Sequence, residues 1–104
     1  MSSNVFVKSG RVTDLLAPTV AATLTGSWMF KDAPKSAIQV VATAPATVVF
    51  DVSNDGVNAC ATALGTVTLA GAGSDGFTSD APWKYIRARI TANSGTVNVD
   101  RKST

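Results

Sequence analysis

Residues 83–91 read WKYIRARIT. Apolar side chains fall on alternate positions, Ile86, Ala88 and Ile90, and Tyr85, Arg87 and Arg89 take the positions between. A repeat of two is the pitch at which an extended strand sends side chains to opposite faces, and a helix does not produce it. The stretch predicts a strand with one dry face and one face of aromatic and guanidinium groups. After a turn at Asn93-Ser-Gly95, Thr96-Val-Asn-Val-Asp100 alternates in the same way, with Val97 and Val99 inward, and the two segments read as a hairpin. Upstream, Thr47-Val-Val-Phe-Asp-Val-Ser53 is rich in β-branched residues and reads as a core strand. It runs into Asn54-Asp-Gly-Val-Asn58, where Asp-Gly is a strong turn signal.

The rest of the chain fits this frame. Ala37-Ile-Gln-Val-Val-Ala-Thr43 is a strand broken at Pro45, and Gly26-Ser-Trp-Met-Phe30 is a strand that ends in the turn chemistry of Lys31-Asp-Ala-Pro-Lys35. Residues 59–64 and 66–69 read as two strands, or as one bent at Gly65, and Asn4-Val-Phe-Val-Lys8 as a short strand near the start. Residues 11–24 are ambiguous. Leu15, Leu16, Val20 and Leu24 would line a short helix, but Pro18 and the β-branched residues favour an extended arm followed by a strand. About seven to eight short strands, with turn signals roughly every 8–12 residues, predict an all-β domain, either a β-sandwich or a jelly roll of antiparallel strands. We expect one domain, with an extended N-terminal arm and first strands in 1–24 and the sandwich core in 25–104.

Composition agrees and removes several functions. The 104 residues suit one modest core; all seven acidic residues are Asp, and there is no Glu. A net charge of +2, from basic residues dispersed along the chain, is too small for a nucleic-acid footprint. With no His and one Cys, the chain lacks the residues for a Ser-His-Asp triad, a Cys-His dyad or an ordinary zinc site. Cys60 has no internal disulfide partner and reads as a small buried hydrophobe. No apolar run approaches the roughly 20 residues that span a bilayer, and no targeting segment is read. The aspartates sit mostly at turns, so no acid–base pair is expected, and neither is an enzyme.

Two motifs imitate ligand sites. Leu69-Ala-Gly-Ala-Gly-Ser-Asp-Gly76-Phe contains G-x-G-x-x-G, but no helix can open behind it, because Phe77-Thr-Ser-Asp-Ala-Pro82 leads into a strand. We read it as a flexible loop between strands. Asp51-Val-Ser-Asn-Asp-Gly56 matches half of a calcium loop, but Thr62 stands where the bidentate Glu belongs, which leaves a hairpin turn. No metal and no cofactor is expected. Trp83, Tyr85, Arg87 and Arg89, all of one parity, suit three roles: a solvated face paired with aspartates across strands, a protein interface, or a platform for sugars or bases. Trp28 and Phe30 read as core or interface residues.

Ser53-Asn-Asp-Gly56, then Ala81-Pro-Trp-Lys-Tyr-Ile-Arg-Ala-Arg-Ile-Thr91 and Ser94-Gly-Thr-Val-Asn-Val99, carry a resemblance. Over residues 37–100 the chain resembles small β-sandwich proteins of tailed-bacteriophage virions, in which an S-x-D-G turn precedes a P-W/Y-x-Y-V/I-R strand and a closing S-G-T-V-x-V strand. It departs from them after the turn, where Val57, Asn58 and Ala59 replace the usual aromatic. The resemblance implies a capsid decoration or cement protein, assembled in the host cytoplasm and lying on the outer capsid surface of the virion. It would bind the major capsid protein as a dimer or trimer, with no nucleic acid, membrane or small-molecule substrate. The interface candidates are Val5, Phe6 and Val7 in the arm, with Trp28, Phe30, Trp83, Tyr85, Arg87 and Arg89. The alternatives are a carbohydrate-binding module that stacks sugars on Trp83 and Tyr85, and a tail or head-to-tail structural protein.

Overall fold

The computed structural model describes residues 12–31 and 35–103, and it holds nine antiparallel strands in two sheets. The strands are β1 (Val12–Thr19), β2 (Leu24–Thr25), β3 (Met29–Phe30), β4 (Ser36–Ala42), β5 (Ala46–Ser53), β6 (Gly65–Leu69), β7 (Gly73–Ser79), β8 (Tyr85–Asn93) and β9 (Val97–Ser103). The first sheet runs β1-β9-β4-β7. The second runs β2-β8-β5-β6, with β3 also on β8. β2 and β3 are two pieces of one edge strand: between them the Gly26 amide donates to the Ala88 carbonyl, and beyond β3 the Lys31 amide donates to the Lys84 carbonyl.

Counting β2 and β3 together, each early strand lies beside a late one: β1 with β9, β2/β3 with β8, β4 with β7, and β5 with β6. This nested pairing across two packed sheets is a jelly roll, an all-β sandwich as the alternation predicted. One expectation fails here. β8 and β9 do not form a hairpin, because Asn93-Ser-Gly95 carries the chain from one sheet to the other. Its neighbour is the equivalent crossing from β4 to β5. The Thr43 amide donates to the Thr96 carbonyl, and the Ser94 amide to the Pro45 carbonyl, so the two crossings are bonded to each other.

The core is the alternation made solid. Val48, Phe50 and Val52 from β5 and Ile86, Ala88 and Ile90 from β8 meet Ile38, Val40, Val97 and Val99 from the first sheet, all buried. Phe77 reaches in from β7 and meets Phe50 edge-on at 5.3 Å between ring centroids. On β1 the register against β9 slips between Asp14 and Leu16, so the adjacent Leu15 and Leu16 are both buried. That bulge resolves the ambiguous 11–24 stretch. Residues 12–19 are an edge strand of the sandwich, where Pro18 is tolerated.

The glycine motif is also corrected. Only residues 70–72 form the turn, and Gly73 onward is strand β7, paired with β4 from Gly73↔Ala42 to Ser79↔Ser36. A Cβ on Gly76 would collide with the backbone carbonyl of Ile38, so the glycine serves close strand packing. Residues 59–64, expected as strand, instead fold back along β5: the Cys60 amide donates to the Val52 carbonyl and the Leu64 amide to the Phe50 carbonyl. Cys60 is half-buried against the core.

Candidate functional site

The outward positions of β3, β8 and β5 stand side by side on the second sheet. Register places Phe30 opposite Tyr85, Arg87 opposite Asp51, Arg89 opposite Val49, and Ser53 opposite Tyr85. The central group is Asp51. It occupies an outward position in an apolar strand, yet only 3% of it is exposed. One of its oxygens accepts from Arg87 Nε at 2.9 Å and from Arg89 Nε at 3.0 Å, and the other accepts from Arg89 Nη2 at 3.2 Å. Burial alone would push the Asp51 carboxyl up, but the hydrogen bonds and charges of Arg89 and Arg87 outweigh it and hold the group below its ordinary value. The same contact pushes the Arg89 guanidinium up.

Aromatic groups hold the other side. The Arg87 guanidinium lies 4.4 Å from the Trp28 ring centroid, within cation–π range. Phe30, 57% exposed, meets Tyr85 edge-on at 6.0 Å, and the Lys84 ammonium lies 5.8 Å from the Tyr85 ring. Backbone contacts behind Phe30 fix this corner: Arg101, buried between the sheets, donates from Nη2 to the Phe30 carbonyl, and buried Lys31 donates from Nζ to the Ala81 carbonyl at 2.7 Å. Leu24, Thr25, Arg89 and Thr91 line a shallow depression beside Arg89.

The turn after β5 closes the far end. Ser53 Oγ donates to Asp55 Oδ1 and accepts from the amides of Asp55 and Gly56. Asp55 also accepts from the Val57 and Asn58 amides and from Asn58 Nδ2. The Ser53 hydroxyl first, then the Asn58 and Val57 amides, hold the exposed Asp55 carboxyl well below the usual carboxylate range. Gly56 takes φ of +70°, and a Cβ there would lie 3.4 Å from the Tyr85 ring. The S-x-D-G element is thus a self-bonded turn that lays a glycine against Tyr85, and Asn54 Oδ1 accepts from the Lys84 amide across the gap. Asp51, required by the half calcium loop, is instead engaged by two arginines.

Five of the predicted residues therefore meet on one face: Trp28, Phe30, Tyr85, Arg87 and Arg89. Trp83 does not join them. It precedes β8 and packs against the core, because the alternation of β8 starts only at Tyr85. Val5, Phe6 and Val7 lie outside the described residues. Asp51 and Gly56 were missed as members of this face. The signal for Asp51 was a lone charge inside Thr47-Val-Val-Phe-Asp-Val-Ser53, since a charge within a core strand must find a partner.

The jelly-roll topology can be set beside known structures. The fold is shared with a prophage-derived protein. The crystal structure of the SPBc2 prophage-derived protein YomS superposes with a TM-score of 0.71 over 88% of each chain, at 7% identity. A chain from a structure of Bacillus endospore appendages, described as disulfide-linked pili, aligns over 91% of this chain and 92% of its own at 18% identity, with a TM-score of 0.37 too low to speak to fold. No family model matches the chain, and no curated protein matches it in sequence.

Proposed function

We propose that this jelly roll is a structural component of a tailed-bacteriophage particle, and specifically a capsid decoration or cement protein that binds the major capsid protein on the outer shell. The observation that carries the reading is the outer face of the second sheet. There a buried carboxylate fixes two guanidiniums beside Trp28, Tyr85 and an exposed Phe30, the residue types that anchor protein interfaces. The fold of a prophage-derived protein and the S-x-D-G, P-W-K-Y-I-R and S-G-T-V-N-V elements support placing the partner in a phage particle. The mode of action is mechanical. A dimer or trimer spanning capsomer junctions raises the cost of separating subunits, because linked contacts multiply modest affinities.

The packing around Trp83 and Tyr85 favours the interface reading over a carbohydrate platform. Trp83 packs on the core, and Tyr85 has Gly56 against its ring and Phe30 edge-on beside it. Co-sedimentation with expanded empty capsids tests the proposal. Saturable enrichment in the capsid pellet, at a copy number comparable to the capsid subunits, is the expected result. Absence of enrichment, or a few copies confined to tails, overturns the decoration role.

A further inference from the structure

We infer that the outer face of β3, β8 and β5 receives an acidic protein segment, in which one Asp or Glu carboxylate lies beside an apolar side chain. This inference rests on the interface reading of the same face and names the chemistry of its partner. Arg87 is fixed on two sides, by Asp51 at Nε and by the Trp28 ring, whose centroid lies 4.4 Å from its central carbon. Among the described residues its two terminal nitrogens have no hydrogen-bond partner, and its side chain keeps 21% of its exposure. A guanidinium held at Nε and over a ring, with its terminal nitrogens unpartnered, is a fork prepared for a carboxylate, and little ordering entropy remains to be lost on binding. Arg89 differs, because it already spends Nε and Nη2 on Asp51.

Charge and shape select the class of partner. Lys84, Arg87 and Arg89 outnumber Asp51 and Asp55 on this face, and both carboxylates are already engaged by internal donors. The surplus is small and local, which suits one acidic side chain rather than a phosphate backbone, whose binding draws on many cations. Base or sugar stacking needs open aromatic planes. Here Arg87 lies over Trp28, and Gly56 lies against Tyr85. Exposed Phe30 is left for an apolar neighbour of the carboxylate. One fork and one apolar anchor, side by side, describe a site for an acidic–apolar pair of side chains.

The test is a titration of the isotope-labelled full chain, followed by NMR at the Trp28 indole and the Arg87 Nε resonances. The probes are a peptide of alternating Asp and Leu, its Asn–Leu counterpart, an oligothymidylate and a maltooligosaccharide. Saturable shifts with the Asp–Leu peptide alone are expected. Arg87→Lys keeps the charge but removes the fork and weakens binding roughly tenfold. Phe30→Ser, at an exposed position that leaves the fold intact, weakens it as well. Equal response to the Asn–Leu peptide, a stronger response to the oligothymidylate or the sugar, or no response at all overturns the inference. Peptide binding without capsid enrichment overturns the virion reading and leaves this one. Capsid enrichment untouched by both substitutions does the reverse.

Discussion

The two outer faces of the sandwich are built on the same backbone plan and end in opposite chemistry. On the second sheet, long planar side chains are locked around one buried carboxylate. On the first sheet, the outward residues of β4 and β7 are Ala37, Gln39 and Val41 beside Thr78, Gly76 and Ser74, short or unbranched groups with no comparable lock. There β1 sets Asp14 directly opposite Asp100 of β9, carboxyl beside carboxyl. Hydrogen bonding with Asp14 first, with desolvation and the Asp14 charge behind it, pushes the Asp100 carboxyl up, the opposite of what happens to Asp51. Inward positions must all do one job, exclusion of water. Outward positions are free to differ, and on these two sheets they do.

Removing the lock breaks the contrast most severely. Asp51→Ala leaves two guanidiniums facing each other without their acceptor. We expect a loss of about 2–3 kcal/mol, below the figure for a fully buried pair because Arg87 and Arg89 keep 21% and 38% exposure. In thermal unfolding this reads as a drop of roughly 10–20 °C, with the Trp28 fluorescence changed before the transition. A smaller loss with unchanged fluorescence would mean that the aromatic contacts alone organise the face.

Gly56→Ala comes next. It forces an L-residue into left-handed backbone and pushes a methyl towards Tyr85, for about 1–2 kcal/mol. Denaturant unfolding measures it, and Ala at a right-handed turn position elsewhere is the control.

The first sheet yields a smaller effect of opposite sign. Because the folded state raises Asp100, its favourable contribution is complete below the ordinary value of 3.8 and is lost as pH rises through the folded value. Asp51 behaves inversely. Its contribution is present above 3.8 and disappears as pH falls through its lowered folded value. Asp100→Asn removes the like-charge contact at neutral pH and stabilises by less than about 1 kcal/mol, a gain that vanishes in acid. A gain that persisted unchanged in acid would show that the carboxyl pair is not its source. Phe30→Ser closes the series. Its stability change stays within about 0.5 kcal/mol, so the exposed ring and the structural lock are separable.

Much of this was legible from residue order because β8 buries alternate positions from Ile86 to Ile90 and β5 does so from Ala46 to Phe50, before buried Asp51 interrupts the pattern. Register then brings Tyr85, Arg87 and Arg89 beside β5 automatically. What could not be read is long-range partnership. Asp51 and Arg87 are 36 positions apart, and nothing local announces which strand will lie beside which. β7 was hidden for a different reason. As an edge strand it exposes small residues on both sides, so Gly73–Ser79 carries no alternation to detect. Arg101 broke a pattern in the same way, since it follows Val97 and Val99 at an inward position and is kept there by the Phe30 carbonyl. Trp83 had the parity of β8 without belonging to it.

The nested pairing of early with late strands also sets an order of assembly. The loop that must close is shortest for β5 with β6 and lengthens through β4 with β7 and β3 with β8 to β1 with β9. Closure entropy rises outward with it, and distant pairings slow folding. We expect the chain to zip from its middle, so that truncating Val67 slows folding and truncating Leu16 mainly speeds unfolding, as chevron kinetics will register. On that expectation β1 is the last strand to arrive and the first to leave: a detachable hem on a garment sewn from the centre.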